Sequence, residues 1–87
     1  NIKRAFITQG CVINGEVKNS VLFTGVKVGS GAKVLDTVLM PNAIIEEDVV
    51  IHRALVADGV RIGKGAVVGD PQSEHIELIA SDVKGVE

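Results

Sequence analysis

The chain has 87 residues, a formal net charge of −2 and two aromatic side chains, while 46% of its residues are hydrophobic. At that length it is one domain, near the size at which a compact core is only just adequate, and its slight acidity gives no general attraction to nucleic acid or to an anionic membrane. Aromatic and basic residues do not interleave as in single-strand binders, no apolar run approaches the roughly 18–20 residues of a membrane span, and the first residues lack the apolar stretch of a signal peptide, so a cytoplasmic protein with neither nucleic-acid nor membrane partners is expected.

Taken in chain order, the elements repeat. Residues 2–6 (IKRAF), 17–21 (VKNSV), 34–38 (VLDTV) and 51–55 (IHRAL) are one five-residue segment written four times, in steps of seventeen with the first step two short. After each comes a six-residue segment, at 7–12, 22–27, 39–44 and 56–61, and then a second one at 28–33, 45–50 and 62–67, with a shortened copy at 13–16. Short units that place an aliphatic residue at about every sixth position are the pattern of a parallel β-helix built from hexapeptides.

The residue types within the units explain the shape. The fourth place of the six-residue segments holds Gly10, Gly25, Asn42, Gly59, Gly31, Asp48 and Gly65, types that tolerate a left-handed backbone at a tight corner. The first place is always Ile, Val or Leu, and the fifth is small or β-branched, so both are predicted to point inward. In the five-residue segments Ala5, Ser20, Thr37 and Ala54 take the small inward place. Three faces per turn give an all-β triangular prism of about four coils over residues 1–68, stacked at a strand spacing of roughly 4.8 Å. From Gly69 the period fades, and residues 69–87 read as a loop and a short strand that either continues the prism or folds over its end. Solenoid ends need caps. The first coil has none, and the chain opens on Asn1 rather than Met, so a domain upstream is expected.

Few residues carry chemistry. Cys11 has no partner for a disulfide and shares its column with Val and Ala, which makes it a small core residue. The glycines around Lys33 and Lys64 fall on or beside the corners of the repeat and not between a strand and a helix, so they are not phosphate loops. Glu46, Glu47 and Asp48 form a solvated corner, and no catalytic triad or metal-ligand spacing is present. His52 is predicted to face outward in a column with Lys3, Lys18 and Leu35. It invites comparison with hexapeptide-repeat acyltransferases, whose histidine acts as a general base between prisms, but the loop that such enzymes extrude from a coil is not seen. Phe6, Val21, Val38 and Leu55 end the five-residue segments and face out, with Phe23 and Met40 across the same edge. They make an apolar stripe along the prism, and contiguous exposed apolar surface marks an interface.

The run NSVLFTGVKVGSGAKVLDTVLMP at 19–41, followed by Asn42, and the coil IHRALVADGVRIG at 51–63 resemble the C-terminal β-helix of the glucose-1-phosphate adenylyltransferases. The resemblance implies a left-handed prism, an exception to the usual crossover rule. It also implies a parent enzyme, of a catalytic or a related regulatory subunit type, that joins ATP and glucose 1-phosphate into ADP-glucose and pyrophosphate for glycogen synthesis. ATP and Mg2+ would then be handled by a missing N-terminal catalytic domain, with no cofactor and no catalytic or metal residue in this part. In that family the β-helix supports a homo- or hetero-oligomer, typically a tetramer, and contributes to regulation by sugar-phosphate effectors. On that basis Arg53, Arg61 and Lys64 are the candidate anion-binding residues, and Phe6, Val21, Phe23, Val38, Met40 and Leu55 the candidate interface. The alternatives are a hexapeptide-repeat acyltransferase or another sugar-phosphate nucleotidyltransferase.

Overall fold

A computed structural model describes residues 1–86. These form fourteen short strands: β1 (Ile2–Lys3), β2 (Phe6–Ile7), β3 (Val12–Ile13), β4 (Glu16–Lys18), β5 (Val21–Leu22), β6 (Lys27–Val28), β7 (Lys33–Leu35), β8 (Val38–Leu39), β9 (Ile44–Ile45), β10 (Val50–His52), β11 (Ala54–Val56), β12 (Arg61–Ile62), β13 (Val67–Val68) and β14 (Glu77–Ile79). They assemble into three parallel sheets, in the orders β1-β4-β7-β10-β13, β2-β5-β8-β11-β14 and β3-β6-β9-β12. These are the three faces of the prism, and the chain visits each once per coil. No helix occurs among the described residues.

The register follows the sequence period. Ile2 pairs with Val17, Val17 with Val34, Val34 with Ile51 and Ile51 with Val68, so the first step is fifteen residues and the next three are seventeen. The inward columns are closed to solvent: Val17, Leu22, Val34, Leu39, Ile51, Val56 and Ile62 are all fully buried. Each coil therefore covers the aliphatic residues of the next, and burial of one such side chain is worth roughly 1.5–3 kcal/mol. Stacking supplies a core that a chain of this length does not build by aromatic packing.

The corners are backbone devices. Gly10, Gly25, Gly31, Gly59 and Gly65 have φ between 68 and 79°, and Asn42 and Asp48 take φ of 64° and 60° in equivalent places. Arg4, Asn19, Asp36 and Arg53 have φ of 46–52°, and each is the single residue that turns the chain from the first face to the second. A five-residue segment thus turns on one left-handed residue. Among the described residues two polar side chains enter the core, Ser20 and Thr37, and both are paired: Ser20 Oγ donates to the Lys18 carbonyl at 2.8 Å, and Thr37 Oγ1 to the Leu35 carbonyl at 2.8 Å.

The two ends differ. In the first coil, whose strands β1, β2 and β3 end their sheets, Ile2 is half exposed, and Ala5, Ile7, Cys11 and Ile13 are only partly buried. At the other end the chain adds further strands. β13 extends the first face and β14 the second, while Val83 bridges to Ile62 on the third. Ala54 pairs with Glu77, a step of twenty-three residues instead of seventeen, so six residues are extruded at the edge between the first and second faces. The loop after Gly69 and the strand β14 continue the prism at this end. What the fading repeat did not give is the length of that step, twenty-three residues from Ala54 to Glu77.

Candidate functional site

The second face carries an outward apolar column. Strands of two or three residues place one side chain inward and its neighbour outward, so Phe6, Val21, Val38 and Leu55 lie directly one above another through the β2-β5-β8-β11 pairing. β14 adds Leu78 in register with Leu55, so the column runs through every coil. Phe6 is 68% exposed and Leu78 67%, while Val21, Val38 and Leu55 are partly covered by one another. Phe23, 37% exposed, and Met40, partly exposed, follow on the same face. Among the described residues the tail lengthens this sheet from its end through β14. Leu78 escaped the sequence reading because the extruded loop shifts it out of the seventeen-residue period.

The three basic candidates stand apart. Arg53 turns the edge between the first and second faces, Arg61 lies in β12 on the third face, and Lys64 sits at the edge between the third and first faces. Arg61 is engaged already, since its guanidinium meets the Glu46 carboxylate at 2.5 Å. The other Glu46 oxygen accepts the backbone N–H of Lys64 at 3.0 Å. These hydrogen bonds, from Arg61 first and the Lys64 amide second, hold the Glu46 carboxyl below the usual carboxylate range. The Lys64 side chain remains free of any ion pair among the described residues.

Cys11 is a partly buried free thiol whose Sγ donates to the Phe23 carbonyl at 3.2 Å, which suits a small packing residue. His52 faces outward beside Leu35 and Lys18, in the column Lys3-Lys18-Leu35-His52. The loop that follows Gly69 reaches the same edge. Nothing among the described residues fits ATP or its magnesium ion: the glycines turn corners, no helix N-terminus faces them, and no three His, Cys, Asp or Glu side chains gather closely enough to hold a metal.

Residues 1–86 match the family described as GlmU-like, C-terminal hexapeptide. Among curated proteins, the chain is 42% identical over 83 residues to a glucose-1-phosphate adenylyltransferase of Bacillus cytotoxicus, covering 94% of this chain and 22% of that protein. It is 46% identical over 80 residues to the one from Bacillus thuringiensis strain Al Hakam, covering 91% and 21%. Against that of Acetivibrio thermocellus the identity is 36% over 78 residues, covering 90% and 18%. The chain therefore spans about a fifth of the length of these relatives.

Proposed function

The chain belongs to the GlmU-like C-terminal hexapeptide family, and on that premise we propose that it is the β-helix of a cytoplasmic glucose-1-phosphate adenylyltransferase, serving subunit assembly and regulation and not the transfer itself. One observation carries the reading: relatives bearing that enzyme name align with nearly the whole prism while extending far beyond it. The reaction, with its ATP and Mg2+, falls to the remainder of such a protein. Here the apolar column of the second face supplies the association surface. A prism built from backbone ladders and buried aliphatics is rigid, so it holds a partner at a fixed angle.

For regulation, Lys64 is the strongest of the three basic candidates. Its ammonium has no ion pair among the described residues while its backbone is pinned by Glu46, whereas Arg61 must first release that carboxylate. A lysine held in this way suits a phosphate group as a point charge.

The test uses the full-length protein that carries this chain. With ATP, glucose 1-phosphate and Mg2+ it should form ADP-glucose and pyrophosphate, and with Lys64→Ala it should keep the unactivated rate while responding less to sugar-phosphate effectors. A second reading, acyl transfer with His52 as base, draws on the extruded loop beside that histidine. Acyl-CoA consumption by the full-length protein without ADP-glucose formation would replace the first reading with the second.

A further inference from the structure

The first coil turns from the third face to the first by a shorter path than the coils above it. In those coils the corner turns on a left-handed residue, Gly31, Asp48 or Gly65. In the first coil Ile13 and Glu16, in register with Val28 and Lys33, are joined by Asn14 and Gly15 alone. The short path runs close against the next coil. A Cβ built on Gly15 would lie 2.6 Å from the Ala32 carbonyl oxygen and 2.8 Å from that of Gly29, so only glycine fits. The fold thereby imposes a glycine directly after an exposed asparagine.

An asparagine can react with the residue that follows it: the next backbone nitrogen attacks the side-chain amide carbon, ammonia leaves, and a cyclic succinimide closes. Three restraints oppose this in a folded chain, namely a Cβ on the following residue, a hydrogen bond that holds its amide, and a hydrogen bond that holds the asparagine side chain. None of them acts at Asn14. Among the described residues the Gly15 amide has no acceptor and the Asn14 side chain no hydrogen-bond partner. The other asparagines are restrained. Asn19 Nδ2 donates to Asp36 Oδ1 at 3.2 Å, and the Ser20 that follows is buried. After Asn42 the Ala43 amide donates to the Met40 carbonyl at 3.2 Å, and Asn1 precedes the β-branched Ile2. Asp58, which also precedes a glycine, is followed by an amide that donates to the Pro41 carbonyl at 2.9 Å.

We propose that Asn14–Gly15 is a site of spontaneous covalent modification in the folded chain, where the Asn14 amide is lost as ammonia and water opens the succinimide to aspartate or isoaspartate. The Gly15 nitrogen gives its proton to solvent and the departing amide group takes one up, so the net change is a water consumed and an ammonia released, with no oxidant or reductant. Opening at one carbonyl restores the ordinary main chain. Opening at the other leaves the main chain running through the former side-chain methylene, which adds a backbone carbon between Ile13 and Glu16. Since the Glu16 amide donates to the Ala32 carbonyl at 2.8 Å and Glu16 pairs with Lys33, that longer link loosens the first coil against the second. Either product places a new carboxylate in the third-face groove that Lys27, Glu46 and Glu47 also line.

The experiment ages the folded chain in mildly alkaline buffer below its thermal midpoint, digests it with trypsin and follows the peptides by chromatography and mass. Cleavage after Arg4, Lys18, Lys27, Lys33 and Arg53 puts Asn14, Asn19 and Asn42 on separate peptides, and fragmentation distinguishes Asn14 from Gln9 within the first of them. The peptide 5–18 should divide into two acidic products of equal mass, faster at higher pH because the attacking nitrogen must lose its proton. It should convert about tenfold faster than the peptides of Asn19 and Asn42, equivalent to about 1.4 kcal/mol of barrier, because neither a Cβ nor a hydrogen bond has to give way. Asn14→Gln, whose longer side chain closes a ring poorly, should abolish both products. The proposal is overturned if Asn14 survives in the folded chain while the urea-unfolded chain converts it, if Asn19 and Asn42 convert as fast, or if the products persist in Asn14→Gln.

Discussion

Leu78 stacks on Leu55 in the β11–β14 pairing although twenty-three residues separate them, where Leu55 and Val38 in the pair below are seventeen apart. The loop between absorbs the difference, and the apolar column of the second face continues unbroken to the last coil. Leu78 is 67% exposed, so replacing it costs the fold little. As an interface residue it would be covered by a partner, and a lysine there would bury an unpaired charge. Leu78→Lys is therefore expected to leave the thermal midpoint of the chain almost unchanged while shifting sedimentation toward the monomer. If sedimentation does not move in Leu78→Lys or in the Val38→Lys, Met40→Lys double variant, the second face is not an association surface.

The extruded loop begins at Gly69, and that position tolerates no side chain. Its φ is 80°, and a Cβ built on it would overlap the carbonyl oxygen of His52 in the coil below. Gly59 has a similar φ of 68° but open space around the same position. Left-handed backbone alone costs a non-glycine residue about 1–2 kcal/mol. Gly59→Ala should lose about that much, and Gly69→Ala about 3 kcal/mol or more, since a backbone carbonyl must also move. Urea unfolding of the two variants checks this, and equal losses would mean that the loop start yields freely.

Residues 2–68 were legible because the prism repeats one physical problem at a fixed interval. Every coil must put an aliphatic residue under the next and turn three corners, and Val17, Val34, Ile51 and Val68 sit in one pairing line as the period requires. The left-handed corners at Asn42 and Asp48 could be read because Asn and Asp share the column with glycines. Arg4 and Arg53 take the same backbone region, in a column whose other members, Asn19 and Asp36, carry the same signal. They do so because the shortened segment leaves no second residue to make the turn. Leu78 was hidden, because once the extrusion breaks the period, nothing local tells how many residues the ladder skips. Likewise the spread of Arg53, Arg61 and Lys64 over two edges and a face is a matter of three-fold geometry that closeness in sequence conceals.

Ser20 and Thr37 occupy equivalent inward places one coil apart, yet they should respond differently to removal of the hydroxyl. Ser20 Oγ also accepts the Thr37 amide at 3.1 Å, so Ser20→Ala leaves a buried N–H without its acceptor, at a cost of about 1–3 kcal/mol. Thr37 Oγ1 only donates to the Leu35 carbonyl, which still receives the Arg53 amide at 3.1 Å. Thr37→Val keeps the shape and should cost about 1 kcal/mol or less. Denaturant midpoints would separate the two, and a larger loss for Thr37→Val would show that packing, not pairing, fixes these places.

Glu46 gives the fold its pH dependence at one defined point. The hydrogen bonds from Arg61 and from the Lys64 amide favour its ionised form and lower its pKa in the folded state. The unfolded chain binds the proton more readily, so the stabilisation is fully present above the ordinary glutamate range and is lost as pH falls through the folded value. Wild-type chain should therefore lose stability between pH 5 and about pH 3, and Glu46→Gln should lose less over the same interval. At neutral pH the variant should be the less stable of the two, and added salt should narrow the gap because the Arg61 pair is exposed. Parallel unfolding curves for both proteins from pH 7 to pH 3, with a constant difference, would mean that neither the Arg61 bond nor the Lys64 amide bond distinguishes the folded chain from the unfolded one.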